Sequence, residues 1–295
     1  MSPHLKSVLQ ALFVTLLWSS SWVFIKVGLQ GLPPLTFAGL RYFLGFLFLL
    51  PLVWIKDRSS FKTIRVRQWV ELLVLGIVMY VLTQGAQFLS LNYFPAVLTA
   101  LILNITPVVI AVFSVFLLKE APNRQQVIGM GVCLLGAFIY LWPRLGDQIA
   151  LSWLLLIPVG GMLANALSSL LGRAVNRREH FPARVVTVIS MGIGSILLLS
   201  FGLMIEPVPQ LGFSQILIVV WLAGINTAFA FTLWNHTLRS LSSVESSVIN
   251  NTMMIQIAVL AVVVLGEKLS VLDVIALIIA AFGSLLVQLR KKSAS

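Results

Sequence analysis

The sequence predicts an all-α membrane protein with ten transmembrane helices arranged as two inverted five-helix repeats. Three observations support this: the apolar composition, the spacing of the apolar segments, and a duplication within the chain. Hydrophobic residues make up 59% of the 295 residues and charged residues only 10%. The mean hydropathy is +1.02. A soluble domain of this length would need a far more polar surface.

Apolar segments of about 20 residues, the length that crosses a bilayer, recur along the chain. The first segment lacks a small-residue cleavage site behind it, so we expect a retained helix and not a removable signal peptide. The connections are too short to form a separate extramembrane domain. The predicted helices are 6–28, 34–55, 68–91, 94–118, 124–143, 151–172, 184–205, 214–238, 243–266 and 270–289.

The duplication relates residues 97–139 to residues 244–286 at a constant offset of 147 positions. Asn104 pairs with Asn251 in this register. Repeats of this kind in a membrane protein are typical of secondary transporters, whose solute site lies near the bilayer midplane between the repeats.

The repeats are expected to be inverted because each contains an odd number of helices. A first repeat at 1–147 begins on one side of the membrane and ends on the other, so a second repeat at 148–295 runs the opposite way. Glu120 and its equivalent Glu267 would then face opposite sides. Such symmetry permits alternating access by exchange of the two conformations.

The basic residues predict the orientation. All but four of the 20 lysines and arginines fall in loops on the side that carries both termini. The positive-inside rule therefore places both termini in the cytoplasm. We expect a multi-pass protein of the cell inner membrane. The net charge of +11 is a topology signal, and nucleic-acid binding is not expected. The four exceptions are Lys26, Arg41, Arg144 and Lys268.

The sequence contains no pattern typical of an enzyme active site. We find no cluster of His, Asp and Glu at metal-ligand spacing and no catalytic triad, so no catalysis, metal or other cofactor is expected. The single cysteine, Cys133, has no partner for a disulfide and lies inside the fifth helix, where we expect a packing role. A receptor or assembly factor without transport is the alternative from another class.

The fifth and tenth helices carry small residues at every fourth position, which lets helix backbones approach closely in lipid. We interpret both helices as scaffold or as an oligomer contact, so a monomer or a homodimer is expected. The small residues are Gly129, Cys133, Ala137, Ala276, Ala280 and Ser284.

Two sets of motifs resemble a known family. The first, near the start, comprises Leu17-Trp18-Ser19-Ser20-Ser21-Trp22, Lys26, Gly28, Pro33-Pro34 and Arg41. The second closes each repeat, with Leu117-Leu118-Lys119-Glu120 before Gly136 and Leu265-Gly266-Glu267-Lys268-Leu269-Ser270 before Gly283. In order, spacing and duplication these motifs resemble EamA-type members of the drug/metabolite transporter superfamily over essentially the whole chain.

The resemblance implies ten helices around a central cavity and export of amino acids or related metabolites. The expected partners are membrane lipid and a small zwitterionic or anionic solute, and drug efflux or metabolite import is the alternative within transport. One feature departs from the proton-coupled small multidrug members, which carry a glutamate in their first helix. The first helix here has no acidic residue, which argues against that coupling and against cationic solutes.

Large and polar residues near midplane depth form the predicted site. Trp18 and Trp22 share one face of the first helix, where an indole provides an apolar wall and one donor; simple packing is the alternative. Arg41 and Lys26 suit an anionic group, unless their long stems snorkel to the interface. The predicted substrate-binding residues are Trp18, Trp22, Arg41, Gln84, Asn104, Asn165, Asn226, Trp234 and Asn251.

The equivalent amides Asn104 and Asn251 have two interpretations. Amides in hydrocarbon need partners, so they serve either as hydrogen-bonding links between helices or as readers of the solute's polar groups. Pro107 additionally frees a backbone carbonyl one turn earlier, near Leu103, which predicts a bending point or a ligand in the fourth helix.

Overall fold

The protein is helical, with no strand among the residues that its structure describes. The structure is a computed structural model, and ten helices in its described part are long and apolar enough to cross a membrane, which confirms the predicted fold class. The described residues are 3–62, 64–118, 122–144, 153–177, 182–237, 240–241 and 243–288.

We number the membrane-spanning helices in chain order. Three of them, α3, α4 and α8, consist of consecutive segments. The bounds are α1 Pro3–Gly28; α2 Pro34–Lys62; α3 Val66–Gly76, Ile77–Gln84 and Gly85–Tyr93; α4 Ala96–Leu103 and Thr106–Leu118; α5 Arg124–Leu141; α6 Leu156–Arg177; α7 Ala183–Ile205; α8 Phe213–Trp221, Leu222–Phe229 and Ala230–Thr237; α9 Ser243–Leu265; and α10 Val271–Gln288.

The chain folds into two compact units, and each draws on both halves of the sequence. The predicted repeat boundary between 147 and 148 lies outside the described residues, as does Glu120. The first unit comprises Met1–Val23, Phe94–Val159 and Ala230–Ser295, and the second comprises Phe24–Tyr93 and Gly160–Phe229.

The second unit is built on the pair α2 and α7, which occupy equivalent positions in the two repeats. The two backbones touch, because a Cβ added to Gly39 would lie 2.5 Å from the Leu199 Cα. The helices run antiparallel, since the start of α2 contacts Glu206 at the end of α7 while Asp57 near the end of α2 pairs with Arg184 at the start of α7. Opposite directions in equivalent helices agree with inverted repeats.

The first unit contains the equivalent pair α5 and α10. A Cβ added to Gly283 would lie 2.2 Å from the backbone nitrogen of Cys133, and one added to Gly136 would lie 2.4 Å from that of Ala280. The small residues predicted to be scaffold are buried at this contact. Cys133 is buried there as a packing residue, as expected.

The helices α3 and α8 each contain an eight-residue π-helical segment, Ile77–Gln84 and Leu222–Phe229. A buried threonine in each segment donates its hydroxyl to the carbonyl five residues earlier. These bonds are 2.8 Å from Thr83 to Val78 and 2.9 Å from Thr227 to Leu222. π-helical turns are rare overall, and those that occur are often found at functional sites. Because the two segments occupy equivalent positions in the repeats, α3 and α8 are candidates for positioning a site.

The helix α4 breaks where the sequence predicted a bend. Regular α-helix ends at Leu103 and resumes at Thr106, because Pro107 cannot donate a backbone hydrogen to the carbonyl of Leu103. The Thr106 hydroxyl occupies that carbonyl instead, at 2.6 Å. The equivalent helix α9 has Met254 in place of the proline and runs without a break.

Candidate functional site

A buried arginine is the central feature of the second unit. Arg41 of α2 is only 5% exposed. Its Nε donates to the Thr227 hydroxyl of α8 at 3.4 Å, and its Cζ lies 5.1 Å from the ring centroid of Tyr42. A guanidinium over an aromatic face gains a modest cation–π attraction, but these contacts leave its charge without a counterion among the described residues.

The acidic residues in the described part of the chain are engaged elsewhere. A carboxylate within about 4 Å would balance the charge of Arg41, but each described carboxylate has another partner. The partners are Arg184 for Asp57, Arg67 for Glu71, the start of α2 for Glu206, His4 for Glu245, the start of α4 for Glu267 and the Ser270 backbone for Asp273.

A tyrosine–glutamine pair lies beside the arginine on the chain. The Tyr42 hydroxyl donates to the Gln84 side-chain oxygen at 2.6 Å. The Tyr42 ring meets the Tyr80 ring edge-on, with centroids 5.3 Å apart. The π-helical segment of α3 supplies both Tyr80 and Gln84. This segment therefore contacts Tyr42, the aromatic partner of Arg41.

Four predicted site residues therefore belong to the second unit. Arg41 and Gln84 hold the positions just described. Asn226 is fully buried in the π-helical segment of α8, next to Thr227. Asn165 is half-buried in α6, and its backbone carbonyl accepts from the hydroxyls of neighbouring serines. They come from both repeats.

The first unit holds an aromatic cluster. Trp18 of α1 lies 5.2 Å from Trp234 and 5.3 Å from Phe231, measured between ring centroids, and both partners belong to α8. Trp18 and Trp234 are each half-buried, whereas Trp22 is 8% exposed and belongs to the buried core. The structure thus unites two of the three predicted tryptophans.

The predicted amides Asn104 and Asn251 both bind α10. The side-chain nitrogen of Asn104 donates to the Ala280 carbonyl at 3.3 Å, and that of Asn251 donates to the Ala281 carbonyl at 2.5 Å. These bonds join α4 and α9 to the same helix. The geometry favours the interpretation of both amides as links between helices.

A polar cluster outside the predicted site residues joins α1 to α9. The Ser19 hydroxyl donates to the Gln256 side-chain oxygen at 2.9 Å, and the amide nitrogen of Gln256 donates to the hydroxyls of Thr15 and Thr252, each at 3.1 Å. The signal was present in the sequence, because a glutamine within an apolar helix requires partners.

Three charged side chains stabilise helix ends. Glu206 accepts from the backbone of Leu35 and Thr36 at the start of α2, and Glu267 accepts from that of Ala96 and Val97 at the start of α4. Lys26 donates to a carbonyl near the end of α3 at 2.6 Å. Each charge complements the helix dipole, so Lys26 has a structural partner and does not extend freely toward the interface.

The described residues contain no group of three or more His, Cys, Asp or Glu side chains that could hold a metal ion. The polar chemistry of both units is therefore hydrogen bonding, charge and aromatic contact.

Comparison with known proteins agrees with this architecture. The model of the EamA-like transporter family matches residues 5–142 and again residues 151–289. The chain belongs to the EamA-like transporter family. Its two matches account for the duplication, and they establish this EamA protein as a multi-pass membrane transporter.

Individual relatives cover most of the chain. A Bacillus subtilis protein, "Uncharacterized transporter YoaV", is 27% identical over 252 residues, which is 82% of each chain. A "Probable amino-acid metabolite efflux pump" of Salmonella typhimurium is 24% identical over 88% of this chain and 87% of its own. One crystal structure matches the fold with a TM-score of 0.68 and 20% identity, over 96% of both chains.

Proposed function

We propose that this EamA protein exports amino acids or related small zwitterionic or anionic metabolites across the cell inner membrane. Transport proceeds by alternating access between the inverted repeats at 1–147 and 148–295. The observation that carries the proposal is Arg41, a buried cation without a described counterion in a membrane-spanning helix. The name of the Salmonella typhimurium relative, "Probable amino-acid metabolite efflux pump", supports the choice of solute class.

The energetic argument concerns the cost of the charge. A cation at bilayer depth costs on the order of 2.5–3.5 kcal/mol on insertion scales, and the contacts with Thr227 and Tyr42 offset only part of that cost. A solute carboxylate would supply the missing counterion through charge-assisted hydrogen bonds. Arg41 is accordingly the proposed carboxylate contact, and an uncharged solute would gain much less from it.

The other proposed contacts supply apolar area and polar orientation. Trp18 and Trp234 offer large half-buried ring surfaces, and burial of apolar surface provides most of the binding energy in such sites. Gln84, Asn165 and Asn226 offer amide groups to the solute. Trp22, Asn104 and Asn251 remain proposed contacts with the weakest support, because the first is core and the amides already bind α10.

The test of the solute class compares carboxylates with matched carboxamides. A thermal-shift screen of the purified protein against amino acids and metabolites identifies solutes, because a bound ligand raises the stability of the folded state. Transport of each hit and of its carboxamide is then measured in proteoliposomes. Arg41→Gln should reduce the preference for the carboxylate about tenfold or more, whereas Lys26→Gln should leave it unchanged.

Each result has a clear meaning. An unchanged preference in an Arg41→Gln protein that still folds and transports would show that Arg41 is structural and remove the basis for the anionic solute class. Solute-independent stability and no flux for any tested solute would favour a receptor or assembly factor. Flux of cationic drugs, or accumulation in the direction of uptake, would favour the drug-efflux or import alternative.

The orientation is proposed separately, with both termini in the cytoplasm. The exposed Ser59, near the end of α2, should then face the cytoplasm, and the exposed Gln210, between α7 and α8, should face outward. In a Cys133→Ala background, Ser59→Cys should resist an impermeant thiol reagent in intact cells, while Gln210→Cys should react. The reverse labelling pattern would refute the orientation and leave the fold intact.

A further inference from the structure

The Thr227 hydroxyl has a single hydrogen, and a backbone carbonyl of α8 accepts it. Thr227 is fully buried, and its hydroxyl donates to the Leu222 carbonyl at 2.9 Å. Because that hydrogen is used, the remaining lone pairs of Oγ1 can only accept, and the donor that meets them is the Arg41 Nε at 3.4 Å. The threonine thus presents an acceptor to a guanidinium 186 positions away in the chain.

The π-helical register of α8 makes this arrangement possible. In a regular α-helix a threonine hydroxyl bonds the carbonyl three or four residues earlier, as Thr15 does with Leu12. In the segment Leu222–Phe229 the bond reaches five residues back. Close packing holds the segment against α2, since a Cβ added to Gly45 would lie 3.0 Å from the Thr227 Cγ2.

The guanidinium is left with one edge available. Its Nε bonds Thr227, and its Cζ lies over the Tyr42 ring, 5.1 Å from the centroid. Within the described part of the chain, Nη1 and Nη2 make no hydrogen bond to another residue. Two parallel N–H donors on this end edge match the two oxygens of a carboxylate, which is the bidentate geometry that arginine recognises and lysine cannot reproduce.

We propose that Thr227 is a positioning residue that orients Arg41 so that Nη1 and Nη2 bind a solute carboxylate end-on. The inference rests on the proposed function, because it assumes that Arg41 contacts the solute, and it adds the residue that sets the selectivity of that contact. Without the Thr227 acceptor, Nε is free to turn toward the solute. A rotated guanidinium then binds carboxylates and carboxamides with less distinction.

The chain contains a matched control for this threonine. Thr83 occupies the corresponding π-helical segment of α3, is buried, and makes the same type of bond to the carbonyl five residues earlier. The structure places no arginine or lysine against its hydroxyl within the described residues. Thr83→Val therefore removes a hydroxyl that supports a π-helical turn without removing a contact to the guanidinium.

The experiment measures the ratio of transport for leucine over leucinamide and for phenylalanine over phenylalaninamide in proteoliposomes. Thr227→Val should lower both ratios about tenfold, and Thr227→Ser should keep them within about twofold because the hydroxyl is restored. Thr83→Val should keep the ratios of the wild type. In an Arg41→Lys background, Thr227→Val should change neither ratio, because lysine has no Nε edge to orient.

The contrary outcomes separate the two proposals. Unchanged ratios in Thr227→Val, with ratios lost in Arg41→Gln, would overturn the positioning role and leave the carboxylate contact standing. Ratios unchanged in Arg41→Gln, or absent in the wild type, would overturn the proposed contact itself. Equal losses in Thr227→Val and Thr83→Val would show a general structural effect.

If the Thr227→Val protein does not accumulate, Thr227→Ala removes the same hydroxyl. The ratio of the two transport rates does not depend on the amount of active protein.

Discussion

The two compact units use buried polar side chains in different ways. In the first unit, Gln256 bonds three hydroxyls, and Asn104 and Asn251 bond the backbone of α10. In the second unit, Arg41 bonds Thr227 through Nε, and no described carboxylate balances its charge. Both sets of residues are polar groups within apolar helices, but only the second includes a charged side chain without a counterion among the described residues.

This difference separates structural polar groups from binding groups in a membrane protein. A hydrogen bond between two helices in lipid stabilises the fold by roughly 0.6–2 kcal/mol, so a cluster whose groups bond each other has a structural benefit. A charge without a counterion destabilises the fold by more than that. The first unit therefore gains stability from its polar residues, whereas Arg41 lowers the stability of the second unit, and the proposed solute contact would account for that cost.

In helix packing the two units are alike, and this predicts the largest effects. Gly283→Ala in the first unit and Gly39→Ala in the second both place a methyl group within 2.5 Å of backbone, so each should lower the free energy of unfolding by about 3 kcal/mol or more. Thermal unfolding in detergent measures the loss. Gly131→Ala is the control, because its added Cβ meets open space. Tolerance of either substitution would mean that the backbone contact is looser than described.

Replacement of the polar residues should affect stability in opposite directions. Gln256→Leu removes three hydrogen bonds and should destabilise the protein by about 1–3 kcal/mol, without changing selectivity for carboxylates. Arg41→Met should leave thermal stability equal or higher, because an uncompensated buried charge is removed. Gln87→Leu in α3 controls for the loss of an amide. A large loss of stability in Arg41→Met would place the guanidinium among the structural groups.

The aromatic cluster should affect solutes without regard to charge. Trp18→Ala removes a ring that contacts Trp234 and Phe231, and it should weaken binding of carboxylates and carboxamides alike, by about tenfold. Isothermal calorimetry with both members of a solute pair checks this. Trp69→Ala removes an exposed tryptophan and should change neither affinity. An effect of Trp18→Ala on only one solute class would contradict the proposed apolar role.

The helix caps should give the smallest effects, and equal ones in the two units. Glu206 and Glu267 each accept from two consecutive backbone nitrogens, 171 and 170 positions earlier in the chain. Glu206→Gln and Glu267→Gln should each cost about 1 kcal/mol or less, because the carbonyl oxygen remains and the charge–dipole attraction is lost. Glu71→Gln, in a largely exposed pair with Arg67, should cost less still. Unequal losses from the two caps would show that they are not equivalent.

Several features of the site could be predicted because their signals are local. A single charge in an apolar segment makes Arg41 a candidate from the sequence alone. A proline inside an apolar segment predicts the break in α4, and the structure places that break between Leu103 and Thr106. The role of the Leu103 carbonyl was harder to predict, because it accepts a hydrogen bond from the Thr106 hydroxyl.

Other features depended on contacts between distant positions. Thr227 could have been noticed as the polar neighbour of Asn226, but nothing near it in the sequence indicates an arginine 186 positions away. The helix that Asn104 and Asn251 contact could not be read from their equivalence in the two repeats. Both bind α10, at Ala280 and Ala281.

The sequence by itself determined the number of helices, their approximate bounds, the duplication and the small-residue stripes of α5 and α10. These properties follow from hydropathy and periodicity within single segments, which lipid enforces strongly. Tertiary structure alone decided that each compact unit combines helices of both repeats, that α3 and α8 contain π-helical turns, and that Thr227 meets Arg41. Such partnerships depend on which helix surfaces pack together over long separations in the chain, and hydropathy carries no record of that choice.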